Sequence, residues 1–286
     1  MAIAKKKELT LEEKLEQALV PEDEWPYEVP GNWVWTRISV VCDFERGITF
    51  PASAKKKEKG PNLIACLRTV NIQKKLETGD LIYVDKSYMN ENMDKLVRIN
   101  DIMMSTANSR ELVGKVSFVD ALNEEMTFGG FVLAIRAKKI FNKYLFYMLQ
   151  LQFLSGKFKN ISKQTTNIAN INTATLGKYL FPLPPYMEQQ QIIDRIESLF
   201  VKLDQAKELV QNALDTFETR KAAILHKAFT GELTAKWRER NGVGMESWEE
   251  KALNEICTIS SGGTPSRKRS EFYTGSIPWI KTGEIQ

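Results

Sequence analysis

Short apolar runs bounded by turn formers fill the first two thirds of the chain. After residue 180 they give way to one stretch in which apolar residues return every three or four positions. The runs at 80–84, 97–99, 101–104, 115–119 and 130–136 are too short for helices and predict strands. Segments 142–150 and 11–19 have helical spacing, the second with Thr10 placed as its N-cap. Phe181-Pro182-Leu183-Pro184-Pro185 closes this region, because proline removes an amide donor and disfavours helix at the residue before it. From 187 to 229 there is neither Gly nor Pro, and Gly231 supplies a stop. Within that span Ile193, Ile196, Phe200, Leu203, Val210, Leu214, Phe217 and Ile224 alternate steps of three and four, with Lys207 and Lys221 interrupting. That is the spacing of a coiled-coil seam. The charged faces carrying Asp194, Arg195, Lys202 and Asp204 favour an exposed pairing helix over a core helix. The fold class expected is therefore α+β: a globular domain followed by a long helical rod.

A second pattern crosses these elements. Trp33, Ile38, Cys42, Gly47 and Thr49 are answered by Trp248, Leu253, Cys257, Gly262 and Thr264, each 215 positions later. Further on, the run 67–73 is answered by 280–286 at an offset of 213, as a two-residue loop deletion would produce. A period this long is a duplicated domain and not a solenoid. The second copy stops soon after it starts. The chain is then either a fragment of something about twice as long or a natural half that restores the missing copy by dimerising. Four segments are expected: a helical arm over 1–30, a first globular domain over 31–180, a spacer or dimerisation helix over 181–235, and the start of the second repeat over 236–286.

Composition acts by exclusion. Apolar residues at 43% and charged residues at 27% are ordinary for a packed protein and argue against wholesale disorder or a disulfide miniprotein. No apolar run approaches the ~20 residues of a bilayer crossing. The start, Met1-Ala2-Ile3-Ala4-Lys5-Lys6-Lys7-Glu8, has basic residues with no apolar stretch behind them, which leads us to expect a cytoplasmic protein. Cys42, Cys66 and Cys257 form no CxxC pair and His226 is the sole histidine, so zinc-ligand spacing is absent and no metal is expected. His226 has no Ser or Cys near it in sequence and is expected on a solvated helix face. The net charge of +4 and pI near 8.8 suit a polyanion partner without requiring one. Lys55-Lys56-Lys57-Glu58-Lys59, between Pro51 and Gly60-Pro61, is an exposed loop, either simply solvated or touching phosphate.

The segments able to carry chemistry narrow quickly. Leu183-Pro184-Pro185-Tyr186 has the outline of the Asp/Asn-Pro-Pro-Tyr motif of amino-methyltransferases, but leucine offers no acceptor for an amino group. No glycine-rich loop follows a strand, and Gly242-Val243-Gly244 is too little to hold a nucleotide. Catalytic residues are therefore not expected. What remains is a set of polar segments where loops should fall. Arg46, Gly47 and Thr49 form the first, Ser105, Asn108 and Arg110 the second, and Lys163, Gln164, Thr165, Asn167 and Asn170 the third. Glycine permits close backbone approach, Asn and Gln can pair with adenine through two hydrogen bonds, and Arg and Lys with guanine. Any one of these residues is as well explained as a turn former, but as a group they favour recognition of double-stranded DNA.

These features together resemble one family. The duplicated half, the Gly-Thr turn after Cys42 or Cys257, Asp101-Ile102-Met103-Met104-Ser105-Thr106 and Ile277-Pro278-Trp279-Ile280-Lys281-Thr282-Gly283-Glu284-Ile285 are similar to type I restriction-modification specificity subunits. So is the passage from Leu183-Pro184-Pro185-Tyr186-Met187-Glu188-Gln189-Gln190 through a long helix to Ala228-Phe229-Thr230-Gly231-Glu232-Leu233. The resemblance implies two target-recognition domains per full subunit, each reading one part of a bipartite DNA site, with helices setting the gap. A helix over 187–229 would be roughly 65 Å long, near two turns of B-DNA at ~34 Å each. Methylation and cleavage are implied to belong to partner methyltransferase (M) and restriction/translocase (R) subunits, with S-adenosylmethionine held by the M partner and no cofactor on this chain. Residues 33–180 would dock in the major groove, and the helix would pair antiparallel with its counterpart. That counterpart lies in the missing half or in a second copy, as a homodimer. Two other readings stay open: a coiled-coil dimerisation scaffold without DNA specificity, and an enzyme whose cofactor site the sequence does not reveal.

Overall fold

The computed structural model describes residues 17–164, 168–246, 248–280 and 282–285, which divide into one unit running to Lys207 and another from Glu208 onward. The first unit is built on a four-stranded antiparallel sheet in the order β2 (Cys42–Arg46), β9 (Val132–Ala137), β5 (Ile102–Ser105) and β7 (Val116–Phe118). Its central strands are apolar without alternation because both faces are covered. Ile102, Met104, Leu133 and Ile135 face one core, which holds Leu145 and Leu149 of α2 (Asn142–Leu154) and Phe158 of α3 (Lys157–Ile161). Met103, Val132 and Ala134 face a second core with Leu67 of β3 (Leu63–Leu67) and Met126 and Phe128 of β8 (Met126–Phe128). Those strands belong to a three-stranded sheet in the order β4 (Ile82–Asp85), β3, β8, with β3 and β8 parallel.

Four of the five predicted strand runs thus appear as β4, β5, β7 and β9. The fifth, 97–99, is a turn. Asp101 accepts a hydrogen bond from the Arg98 amide at 2.9 Å and returns its own amide to the Arg98 carbonyl at 3.0 Å, with Asn100 left-handed at φ 71°. The same Asp101 carboxylate, buried, takes two 2.9 Å bonds from the Arg136 guanidinium, which also donates to the Leu96 carbonyl at 2.7 Å. This forked pair ties the turn to β9; burial opposes the charge on Arg136, and the neighbouring carboxylates more than restore it.

The domain is closed by a two-stranded sheet of β1 (Val34–Arg37) and β12 (Leu180–Leu183), antiparallel with Trp35 opposite Pro182. Only an edge pairing tolerates that proline. Of the expected 11–19 helix, 11–16 and the Thr10 cap lie outside the described residues, while Gln17 and Ala18 are helical and Leu19 bridges to Thr36. No described helix is long and apolar enough to cross a membrane.

Beyond Pro184-Pro185 the rod begins as α5 (Tyr186–Asp215). Its first turns are docked. Gln189 is buried, Ile193 enters the α2-side core, Glu197 accepts from Lys143 Nζ at 2.6 Å, and Phe200 meets Tyr147 edge to face at 5.9 Å. From Val201 on, every residue of α5 is exposed. The single helix expected over 187–229 is interrupted at Thr216, before α6 (Phe217–Phe229). Thr216 Oγ1 donates back to the Ala213 carbonyl at 3.0 Å, a threonine bond that bends helices. The backbone ladder still passes through it, Thr216 N to Asn212 O at 3.3 Å and Arg220 N to Thr216 O at 2.9 Å. Gly231, left-handed at φ 76°, ends α6 where the sequence predicts a stop.

In the second unit, past a short helix α7 (Ala235–Asn241), positions paired at the 215 offset share local geometry with the first. α1 (Ile38–Val41) and α8 (Leu253–Ile256) are both four-residue helices ending on a cysteine whose Sγ donates to the carbonyl four residues back, Cys42 to Ile38 at 3.1 Å and Cys257 to Leu253 at 3.0 Å. The Trp33 amide meets Pro30 O at 2.8 Å and the Trp248 amide meets Met245 O at 3.0 Å. At the 213 offset, 3-10 turns occupy Thr69–Asn71 and Thr282–Glu284. Of the three thiols Cys42 and Cys66 are buried, and burial pushes each up to about 12. They are protonated at neutral pH, and alkylation needs the thiolate. Iodoacetamide at pH 8 should therefore modify one cysteine per folded chain, the exposed Cys257, and all three in guanidinium, as counted by intact mass.

Candidate nucleic-acid interface

β2 carries Arg46 to the edge of the central sheet, and Gly47 follows it. There the chain passes so close to the turn before β9 that a Cβ on Gly47 would lie 2.2 Å from the Gly129 carbonyl oxygen. The Gly47 amide reaches Val132 O at 3.2 Å and the Ile48 amide reaches Phe128 O at 2.8 Å. The expectation that a glycine here permits close backbone approach is met within the chain itself. Beside this crossing is a cleft of about 520 Å³ lined by Arg46, Thr49, Lys55, Arg68, Val70 and Phe131 among others. Among the described residues three of its lining residues are cations and none is acidic. Arg68 is held at its rim by Asp80, Nη2 to carboxylate 2.8 Å, while Phe131 stands out of the turn at 64% exposure.

The other two predicted segments meet in a three-stranded ribbon in the order β10 (Lys163–Gln164), β11 (Ala169–Asn170), β6 (Ala107–Asn108). The register sets Gln164 and Asn108 across from Ala169, and Lys163 and Ala107 across from Asn170. Strand alternation therefore puts Gln164 with Asn108 on one face and Lys163 with Asn170 on the other. The ribbon adjoins the cleft: Thr106 donates through its amide and its hydroxyl to the Phe131 carbonyl, at 2.9 and 3.0 Å, and accepts from Ile171 N at 2.9 Å.

Residue by residue, the expectations fare differently. Arg46, Thr49, Arg110, Lys163 and Gln164 are exposed, and Asn170 is half-buried. Thr165 and Asn167 lie outside the described residues. Ser105 is a correction. It is fully buried on β5, its hydroxyl accepting from Asn108 Nδ2 at 3.1 Å, because both faces of that strand are covered. Asn108 is half-buried and commits its Oδ1 to the Ser109 amide, the turn-forming use of asparagine. Arg68, Val70 and Phe131 were not singled out from sequence. Arg68 had a signal, since its counterpart at the 213 offset is another cation, Lys281; Phe131 had none, being one apolar residue in a strand-like run.

The seam residues divide as well. Ile193 is committed to the core of its own domain and Ile196 is half-buried, which corrects their assignment to a partner-facing stripe. Phe200, Leu203, Val210, Leu214, Phe217 and Ile224 are exposed. Leu183-Pro184-Pro185-Tyr186 serves the junction, with Tyr186 stacked on Phe141 at 4.2 Å between ring centroids. His226 lies exposed on α6.

With this arrangement in place, the comparisons with known proteins agree on one class. Residues 30–212 match the family described as Type I restriction modification DNA specificity domain. The chain belongs to that family. It is similar to the specificity subunits of the type I restriction enzymes EcoKI of Escherichia coli K12, 29% identical over 74% of this chain and 45% of that one, and StySPI of Salmonella potsdam, 26% identical over 84% and 51%. It thus spans about half the length of these relatives. Its fold matches the crystal structure of the HsdS subunit from Thermoanaerobacter tengcongensis, at a TM-score of 0.54 and 21% identity over 72% of this chain and 47% of that one. A structure of a type I R-M system, described for its assembly and conformational transition, matches at 0.52, with 24% identity and the same 72% of this chain against 48% of that one.

The Gly47 crossing gives a direct test of how the cleft is built. Gly47→Ala must push two backbones apart, which should lower stability by about 1–3 kcal/mol, measured by urea unfolding followed through tryptophan fluorescence.

Proposed function

We propose that this chain reads one part of a bipartite DNA site for a type I restriction-modification complex, through the cleft beside Gly47 and the adjoining β6–β11–β10 ribbon. The observation that carries it is the convergence of Arg46, Lys55 and Arg68 around one cleft free of acidic lining residues, in a domain of the specificity family. Clustered cations suit phosphate and guanine edges, and the exposed amide of Gln164, on the ribbon face it shares with Asn108, suits adenine. Lys55 takes the phosphate role left open for its loop. In this reading the chain has no catalytic centre. S-adenosylmethionine belongs to the M partner, cleavage to the R partner, and the complex works in the cytoplasm. The exposed stripe from Leu203 to Ile224 pairs with its counterpart in a second copy or a C-terminal half.

The decisive experiment maps methylation in cells carrying the neighbouring M gene with and without this chain. A palindromic gapped motif appearing only with the chain means a homodimer of halves. An asymmetric motif that needs a C-terminal half means a fragment. An unchanged pattern refutes DNA reading and leaves a coiled-coil scaffold, which the exposed stripe alone would also suit. In the purified complex, Arg46→Ala with Lys55→Ala should weaken DNA binding on all sequences. The same pair should flatten the slope of log K against log salt by roughly 0.9 for each phosphate that is no longer neutralised.

A further inference from the structure

The Glu-Gln-Gln run after the double proline marks the family resemblance, but the reading of bases leaves it unused. Its central residue has an unusual position. Gln189 is 1% exposed, and its amide joins three elements: Oε1 accepts from the Phe141 amide at 3.1 Å, and Nε2 donates to the Pro184 carbonyl at 3.0 Å. Phe141 is the N-cap of α2, where an amide has no helical partner, and Pro184 lies just ahead of α5. One side chain satisfies both orphans. Leucine could do neither, glutamate only the first, and asparagine is one methylene shorter.

The contacts continue along one face. Ile193 is in the core one turn on, and Glu197, a turn further, accepts from Lys143 Nζ at 2.6 Å and Tyr147 Oη at 3.2 Å. Positions 189, 193 and 197 form a single i, i+4 stripe, so the rotation of α5 about its axis and its axial register are both set against α2. Leverage makes this matter. α5 has 30 residues and is roughly 45 Å long, so a tilt of about 5° at its base moves its far end by roughly 4 Å, about one base-pair step.

We propose that Gln189 is a positioning residue that locks the recognition domain onto the spacer helix and thereby selects the gap length of the DNA site. The proposal rests on the bipartite-site reading above. Gln189 touches no DNA; it acts through the direction of α5.

The test uses the assembled methyltransferase and duplexes that keep the recognised half-sites while the gap between them is lengthened or shortened by one base pair. Gln189→Leu should raise methylation of off-length gaps, relative to the native gap, at least fivefold with the half-site bases unchanged. Gln190→Ala, whose amide bonds Asp194 within the helix, should leave that ratio as in the wild type. Lys143→Met, which loosens the second contact at an exposed pair and does not endanger folding, should shift the ratio in the same direction by a smaller factor. Slower methylation by Q189L with an unchanged gap ratio would overturn the proposal. A second measurement is independent of DNA. Spin labels at Lys75→Cys and Lys202→Cys, in a Cys257→Ser background, should give a narrow distance distribution that Q189L broadens. If the wild type selects no gapped motif, the DNA reading fails and this width alone decides: a distribution equally narrow in Q189L sinks the clamp.

Discussion

Neither face of β9 can be given to solvent: Leu133 and Ile135 pack under α2 while Val132 and Ala134 face β3 and β8. Burial on both sides makes this strand the fixed reference of the domain. β2 and β5 are hydrogen-bonded to its two edges, Arg136 near its end anchors the 93–101 turn through Asp101, and the Gly129–Phe131 turn leading into it forms one wall of the cleft. A turn on such a strand can carry an exposed aromatic without moving.

The polar surface is assembled around that reference from segments far apart in the chain. Arg46 ends β2 and Thr49 follows it, Lys55 lies in the lysine loop, Arg68 follows β3, and the ribbon joins 107–108 to 163–170. The bond from Thr106 to the Phe131 carbonyl holds cleft and ribbon as one surface. Glycine at 47 is the condition for it, since a Cβ there would occupy the space of the Gly129 carbonyl.

The helix divides its length between two tasks. Its first four turns dock, through Gln189, Ile193, Glu197 and Phe200, and its remaining apolar positions stay exposed. A stripe that is half docked and half free joins a rigid base to a surface that can take a partner helix.

Sequence alone determined much of this protein. Strand runs bounded by turn formers, a glycine- and proline-free helical stretch with its Gly231 stop, and the duplication are local or periodic signals. Four of the five strand runs and the Gly231 stop survive in the structure, the helical stretch is broken once at Thr216, and the positions paired at the 215 offset form matching cysteine-capped turns at 38–42 and 253–257. The polar segments were legible too, because amides and cations gathered between strand runs mark loops. Tertiary structure decided which of them face outward. Ser105 lies on a strand covered on both sides and is lost to the core, while Arg68 and Phe131, plain in sequence, are brought to the rim of the cleft. It also decided that Ile193, read as part of the seam, belongs to the core of its own domain. Helical periodicity marks a face as apolar, and only the position of α2 says what that face meets.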